Sequence, residues 1–132
     1  LAGLSAAQAA ARPLAQAHSI GEIVRHLTTW ADTVAARLEQ QIDMAPVAPD
    51  WPPFAATATE AEWKQVLANL HWAHARVLAA AAALPLSRLD VPLGEVRDRA
   101  DGSGVSPYVL LHGTAQHYLY HAGQIALLRK FV

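Results

Sequence analysis

Three stretches of this chain each open with a helix-start signature and then hold a helical period for several turns, which leaves little room for any fold but packed helices. At Ser19-Ile20-Gly21-Glu22 a hydroxyl can cap exposed amides while a carboxylate three positions on reciprocates. From there to about Gln41, Ile23, Val24, Leu27, Ala31, Val34 and Leu38 recur at intervals of three and four and make one apolar stripe. Thr59-Glu60-Ala61-Glu62 repeats the signature, and Trp63, Val66, Leu67, Leu70, His74, Val77, Leu78 and Ala81 carry a second stripe to about Leu84, before Pro85. Ser106-Pro107 supplies a serine cap with proline at the first helical position. The third stripe, with Leu110, Leu111, Thr114, Leu119, Ile125 and Leu128, runs to about Lys130. Such stripes must be buried against one another, so the expected fold is an all-α helical bundle in a single domain, residues 1–132.

The connections read differently. Prolines 46, 49, 52 and 53 remove amide donors between Met44 and Thr57, giving a loop or extended crossing with Trp51 and Phe54 as its expected anchors. From Pro85 to Val105 the period is lost and turn formers such as Asp101-Gly102-Ser103-Gly104 gather, with a short extended piece expected around Asp90 to Pro92. Ser5 to Arg12 has room for two helical turns before Pro13. Gly113 and Gly123 each cost about 1 kcal/mol against alanine in a helix interior, which points to close approach of a neighbouring helix or a ligand.

Composition narrows the partners. Ten basic and 11 acidic residues are scattered along the chain, with a net charge of -1, so no basic stripe is available to neutralise a phosphate backbone, and nucleic acid is not an expected partner. No apolar run approaches the roughly 20 residues needed to cross a bilayer, so no membrane association is expected. The chain has no cysteine, which fits a reducing cytoplasm and excludes a thiolate nucleophile or thiolate metal site of its own. A metal would fall to His, Asp or Glu.

His117-Tyr118-Leu119-Tyr120-His121 is where such a metal is first expected. Four residues is just over one turn of helix, so the two imidazoles leave one face about 6 Å apart at their bases, within reach of a single ion. Two hydrogen-bonded histidines that merely stabilise a bundle have the same spacing.

Together with His26 on an earlier helix, these residues resemble the DinB-like (YfiT-like) superfamily of metal-binding four-helix bundles. The matching stretches are residues 19–30, Ser-Ile-Gly-Glu-Ile-Val-Arg-His-Leu-Thr-Thr-Trp, and residues 117–125, His-Tyr-Leu-Tyr-His-Ala-Gly-Gln-Ile; Asp50-Trp51-Pro52-Pro53 and the start of the Thr59 helix are similar too. The resemblance implies that His26, His117 and His121 hold a divalent metal such as zinc, nickel, iron or manganese. It implies that the bundle's first helix lies largely upstream of residue 1, with Leu1 to Leu4 as its end, and it suggests a homodimer. Some members are transferases or isomerases that use low-molecular-weight thiols such as bacillithiol or mycothiol. A three-histidine site leaves coordination positions open, and a metal there can activate a thiol or water for transfer to, or hydrolysis of, a small electrophilic substrate. The alternative is a non-catalytic, metal-stabilised helical dimer in stress response.

Around the three histidines the sequence offers further candidates. Gln124, three residues beyond His121, is placed to bond a ligand or to pack as an amide; Trp30, one turn from His26, is placed to wall the pocket or fill the core. Tyr120 is a proton donor or a packing ring, and Glu22 a carboxylate that orients His26 or, preferably, the reciprocal cap. His71 and His74 read as a pair at the core margin, His18 as exposed, and His112 as turned about 180° from His121 and outside any shared site.

Overall fold

The computed structural model describes residues 1–94 and 104–132. It contains a short helix α1 (Ala6–Ala10), three long helices α2 (Ile20–Gln40), α3 (Glu60–Ala83) and α4 (Pro107–Leu128), and one turn of 3-10 helix at Leu86–Arg88. No strand occurs among the described residues, and no described helix is long and apolar enough to cross a membrane. The all-α expectation therefore holds.

Both expected capping boxes form. Ser19 and Glu22 bond each other's backbone amides, as do Thr59 and Glu62, and Ser5 with Gln8 makes a third that opens α1. Beyond Leu84 the chain turns instead of extending: the amides of Leu89 and Val91 each donate to the carbonyl three residues earlier at 3.2 Å, so the extended piece expected near Asp90 to Pro92 is replaced by successive turns. Of the turn formers there, Asp101, Gly102 and Ser103 lie outside the described residues.

Helix α2 is the hub and packs against each of the other three helices. Its stripe feeds two apolar clusters. The first joins Ile20, Ile23, Val24 and Leu27 to Ala6, Ala9, Phe54, Trp63, Ile125 and Leu128. The second joins Ala31, Val34, Ala35 and Leu38 to Ala73, Val77, Leu93 and Leu110. Between the clusters α2 carries His26, Thr29 and Trp30, and α4 carries His117 and His121, so the polar residues occupy the waist of the bundle.

Because α3 and α4 pack mainly on α2, their outer flanks stay bare. Leu78 and Leu119, expected in the inward stripes, are 57% and 74% exposed. Nor does a neighbouring helix crowd Gly113 or Gly123: a Cβ at either would meet nothing within 4 Å.

The proline-rich loop lies along α2 and is pinned at several points. Arg37 donates to the Met44 carbonyl at 2.7 and 2.9 Å, Thr33 Oγ1 accepts the Val47 amide at 3.2 Å, and Arg25 donates to the Pro53 carbonyl at 2.6 Å. Phe54 finishes the job by lying on the backbone of Gly21, where any Cβ would come within 2.2 Å of its ring. Glycine is required there by contact, and that contact sets where Asp50 and Trp51 fall.

Candidate metal centre

His26 is 5% exposed on α2, and one helix turn separates half-buried His117 from His121, 3% exposed, on α4. Each of the three offers a ring nitrogen within 4.8 Å of the other two, and this is the group found among the described residues that can hold an ion. The rings meet edge to face, with centroids 4.6 to 4.9 Å apart. His26 Nε2 lies 2.9 Å from His117 Nε2 across 91 residues of sequence.

The outer nitrogens decide which lone pairs face inward. His26 Nδ1 lies 2.7 Å from the Asp50 carbonyl, which only accepts, so Nδ1 carries the proton and Nε2 presents its lone pair. His121 Nδ1 lies 2.6 Å from Gln124 Oε1, which fixes the same tautomer. An inward lone pair on His26, so close to a second ring nitrogen, calls for a proton or a cation between them. Neutral imidazoles converging from two helices, two of them turned by an acceptor on the far side, suit a divalent metal.

Electrostatics favour the neutral forms of His117 and His121. Burial, then the neighbouring His121 and His26, lowers the His117 pKa to about 4 from an ordinary 6.5. Burial also lowers His121, against an upward pull from its bond to Gln124. Since His117 protonates more readily in the unfolded chain, the folded state is favoured fully above pH 6.5, and that contribution is lost as the pH falls through about 4. Chelator-treated protein is therefore expected to show a urea midpoint that declines between these limits, with a flatter profile for His117→Phe; an unchanged slope in the variant rules the cause out.

Asp50 and Trp51 complete the surroundings. The Asp50 carboxylate accepts the Trp30 indole N–H at 2.7 Å and lies 3.2 Å from His26 Nδ1. Trp51 stacks flat on His26 at 3.9 Å and on His18 at 3.7 Å, and its edge meets His121 at 5.8 Å. Neither residue stands out in the sequence as part of a site, since a proline-rich loop has no period to say which way a side chain faces. The compatible signals are the aromatic anchor at Trp51 and the family-like stretch Asp50-Trp51-Pro52-Pro53.

A cavity of about 440 Å³ opens beside this group, lined by His26, His117, Asp50, Trp30, Val34, Val109, Leu110 and Gly113 among others. Trp30 thus walls the cavity. Gln124 does not line it; its amide oxygen is engaged with His121. Tyr120 is 64% exposed with its ring 5.0 Å from His121, so it is not a core packing residue. Glu22 caps α2 and pairs with Arg12 and, at 3.5 Å, with exposed His18. Burial raises its carboxyl, but the Ser19 amide, Arg12 and His18 outweigh this and hold it below its ordinary value.

Among the described residues His71, which is exposed, joins no ligand group, while His74 stacks edge-on with Tyr118 at 5.5 Å and its buried Nδ1 has no partner there. His112 faces away, beside Tyr108 at 4.5 Å.

Comparison with known proteins agrees with this architecture. No curated protein and no solved structure gives a significant match. The model of the DinB superfamily matches residues 1–125, nearly the whole of the 132-residue chain and both helices that carry the three histidines. The chain belongs to the DinB superfamily.

Proposed function

We propose that His26, His117 and His121 hold a divalent metal and that the protein is a metal-dependent enzyme acting on a small electrophile. The observation that carries this is the convergence of three ring nitrogens within 4.8 Å beside a 440 Å³ cavity that His26 and His117 line, with the outer nitrogens of His26 and His121 engaged by acceptors. Zinc, nickel, iron or manganese in this site supplies Lewis-acid activation of a low-molecular-weight thiol or of water. With no cysteine in the chain, a sulfur nucleophile has to come from such a thiol, which fits a reducing cytoplasmic setting.

The chain's own residues do the rest. Asp50 and Gln124 hold His26 and His121 in the tautomer that turns Nε2 inward. Trp51 covers one face of His26. Trp30, Val34, Val109 and Leu110 line the approach with apolar surface. A closed structural centre would have a fourth protein ligand, and among the described residues the group has three members. The open cavity therefore favours a reactive centre over a non-catalytic metal clip.

Metal analysis of untagged protein beside His117→Ala tests the site. The expected result is about one divalent ion per chain in the wild type, lost in the variant; equal content in both sinks it. If metal is lost, thiols paired with electrophiles, and esters in plain buffer, then separate transfer from hydrolysis. We also propose a homodimer that covers the bare flanks marked by Leu78 and Leu119. Sedimentation equilibrium is expected to give twice the 14.1 kDa chain mass, and a single-chain mass rejects the dimer.

A further inference from the structure

We infer that the substrate of this centre has an apolar, ring-sized body, and that Gly113 sets how large that body can be; this rests on the metal-centre reading above. His26, His117 and Asp50 gather at the histidine end of the cavity, while Trp30, Val34, Val105, Val109 and Leu110 supply apolar surface. Two further polar residues line the cavity, and both are engaged within the protein: the Thr114 hydroxyl donates to the Leu110 carbonyl at 2.8 Å, and the Arg37 side chain, only 2% exposed, bonds the Met44 carbonyl and lies 4.0 Å from Asp43. A ligand with one polar, electrophilic group at the histidine end and apolar atoms beyond it matches this division, since polar atoms placed along the apolar wall would lose hydrogen bonds to water without replacement.

Gly113 lies in the same wall, one helix turn before His117. Glycine in a helix interior costs about 1 kcal/mol against alanine, and a residue usually recovers that cost by admitting a close neighbour. Here a Cβ would meet nothing within 4 Å, so helix packing among the described residues does not account for it. What the missing side chain leaves is room at the cavity wall beside a metal ligand. Gly123 is an internal comparison: it sits on the same helix with the same clear surroundings, yet it does not line the cavity.

The test uses metal-loaded wild type, Gly113→Leu and Gly123→Leu, titrated with methyl benzoate and with methyl acetate, and reads the NMR signal of the Trp30 indole N–H. Both substitutions replace glycine by a good helix former, so the helix is kept. Methyl benzoate is expected to bind the wild type more tightly than methyl acetate, which shares the ester but lacks the ring. Gly113→Leu is expected to weaken methyl benzoate by roughly tenfold or more, with Gly123→Leu like the wild type. Unchanged affinity in Gly113→Leu, an equal loss in Gly123→Leu, or equal binding of the two esters to the wild type overturns the inference. Metal content is measured on the same samples: a wild type that takes up no metal rejects the underlying centre, whereas metal-replete proteins with indistinguishable affinities reject only the role of Gly113 and the apolar body.

Discussion

His121→Ala is expected to abolish tight metal binding, while Gln124→Ala is expected to weaken it by roughly 10- to 100-fold and leave the ion in the same place. The two residues are three apart on α4 and joined by a 2.6 Å hydrogen bond, but they act at different distances from the ion. Removing His121 takes away one of three donors, and the remaining pair, His26 and His117, comes from two helices with no further donor among the described residues to close the third side. Removing the Gln124 amide leaves all three donors. What it loses is the acceptor that keeps the His121 proton on Nδ1, so the ring must select the right tautomer and orientation on binding. A chelator competition titration with zinc ranks wild type, Gln124→Ala and His121→Ala in that order. Equal affinities for His121→Ala and wild type contradict the site; equal losses in the two variants contradict the division of roles.

Trp63→Ala is expected to cost about 3 to 5 kcal/mol of stability, the range for emptying a large aromatic site in a packed core. Trp63 is 1% exposed, and its indole N–H donates to the Leu4 carbonyl at 2.9 Å, which ties the segment before α1 to α3. Its ring also meets Phe54 edge-on at 5.7 Å, and Phe54 is the residue that seats the proline-rich loop on Gly21. Single domains are stable by only about 5 to 15 kcal/mol, so the loss is a large share of the total. Trp63→Phe keeps much of the apolar contact and is expected to fall between wild type and Trp63→Ala. Urea midpoints at fixed slope measure the series, and a loss below about 1 kcal/mol for Trp63→Ala means that the site is not the packed anchor described.

Much of the fold is legible in the sequence because its signals are local. A capping box needs residues only three apart, and the observed starts of α2, α3 and α4 follow Ser19, Thr59 and Ser106 as expected. Periodicity likewise gives the inward stripe of α2, which is buried along its length. It fails for Leu78 and Leu119 because a stripe states which residues share a face and not whether a neighbour arrives to cover it. It also fails near Asp90, where successive i to i+3 bonds outcompete an extended path after Pro85.

The candidate metal centre divides the same way. His117 and His121 come together through the helical repeat alone, and His26 joins them by family resemblance, which the superfamily match supports. The rest was decided by the tertiary structure: Asp50 reaches His26 across 24 residues through its backbone carbonyl, a group every residue possesses, and Trp51 stacks on the ring because Phe54 and Gly21 hold the loop there. By itself the sequence determined the helices and the pair of histidines on one face, since both follow from bonds and spacings within a turn. Only the tertiary structure decided the tautomers, the cavity and its walls, because these depend on where a loop without periodicity is pinned.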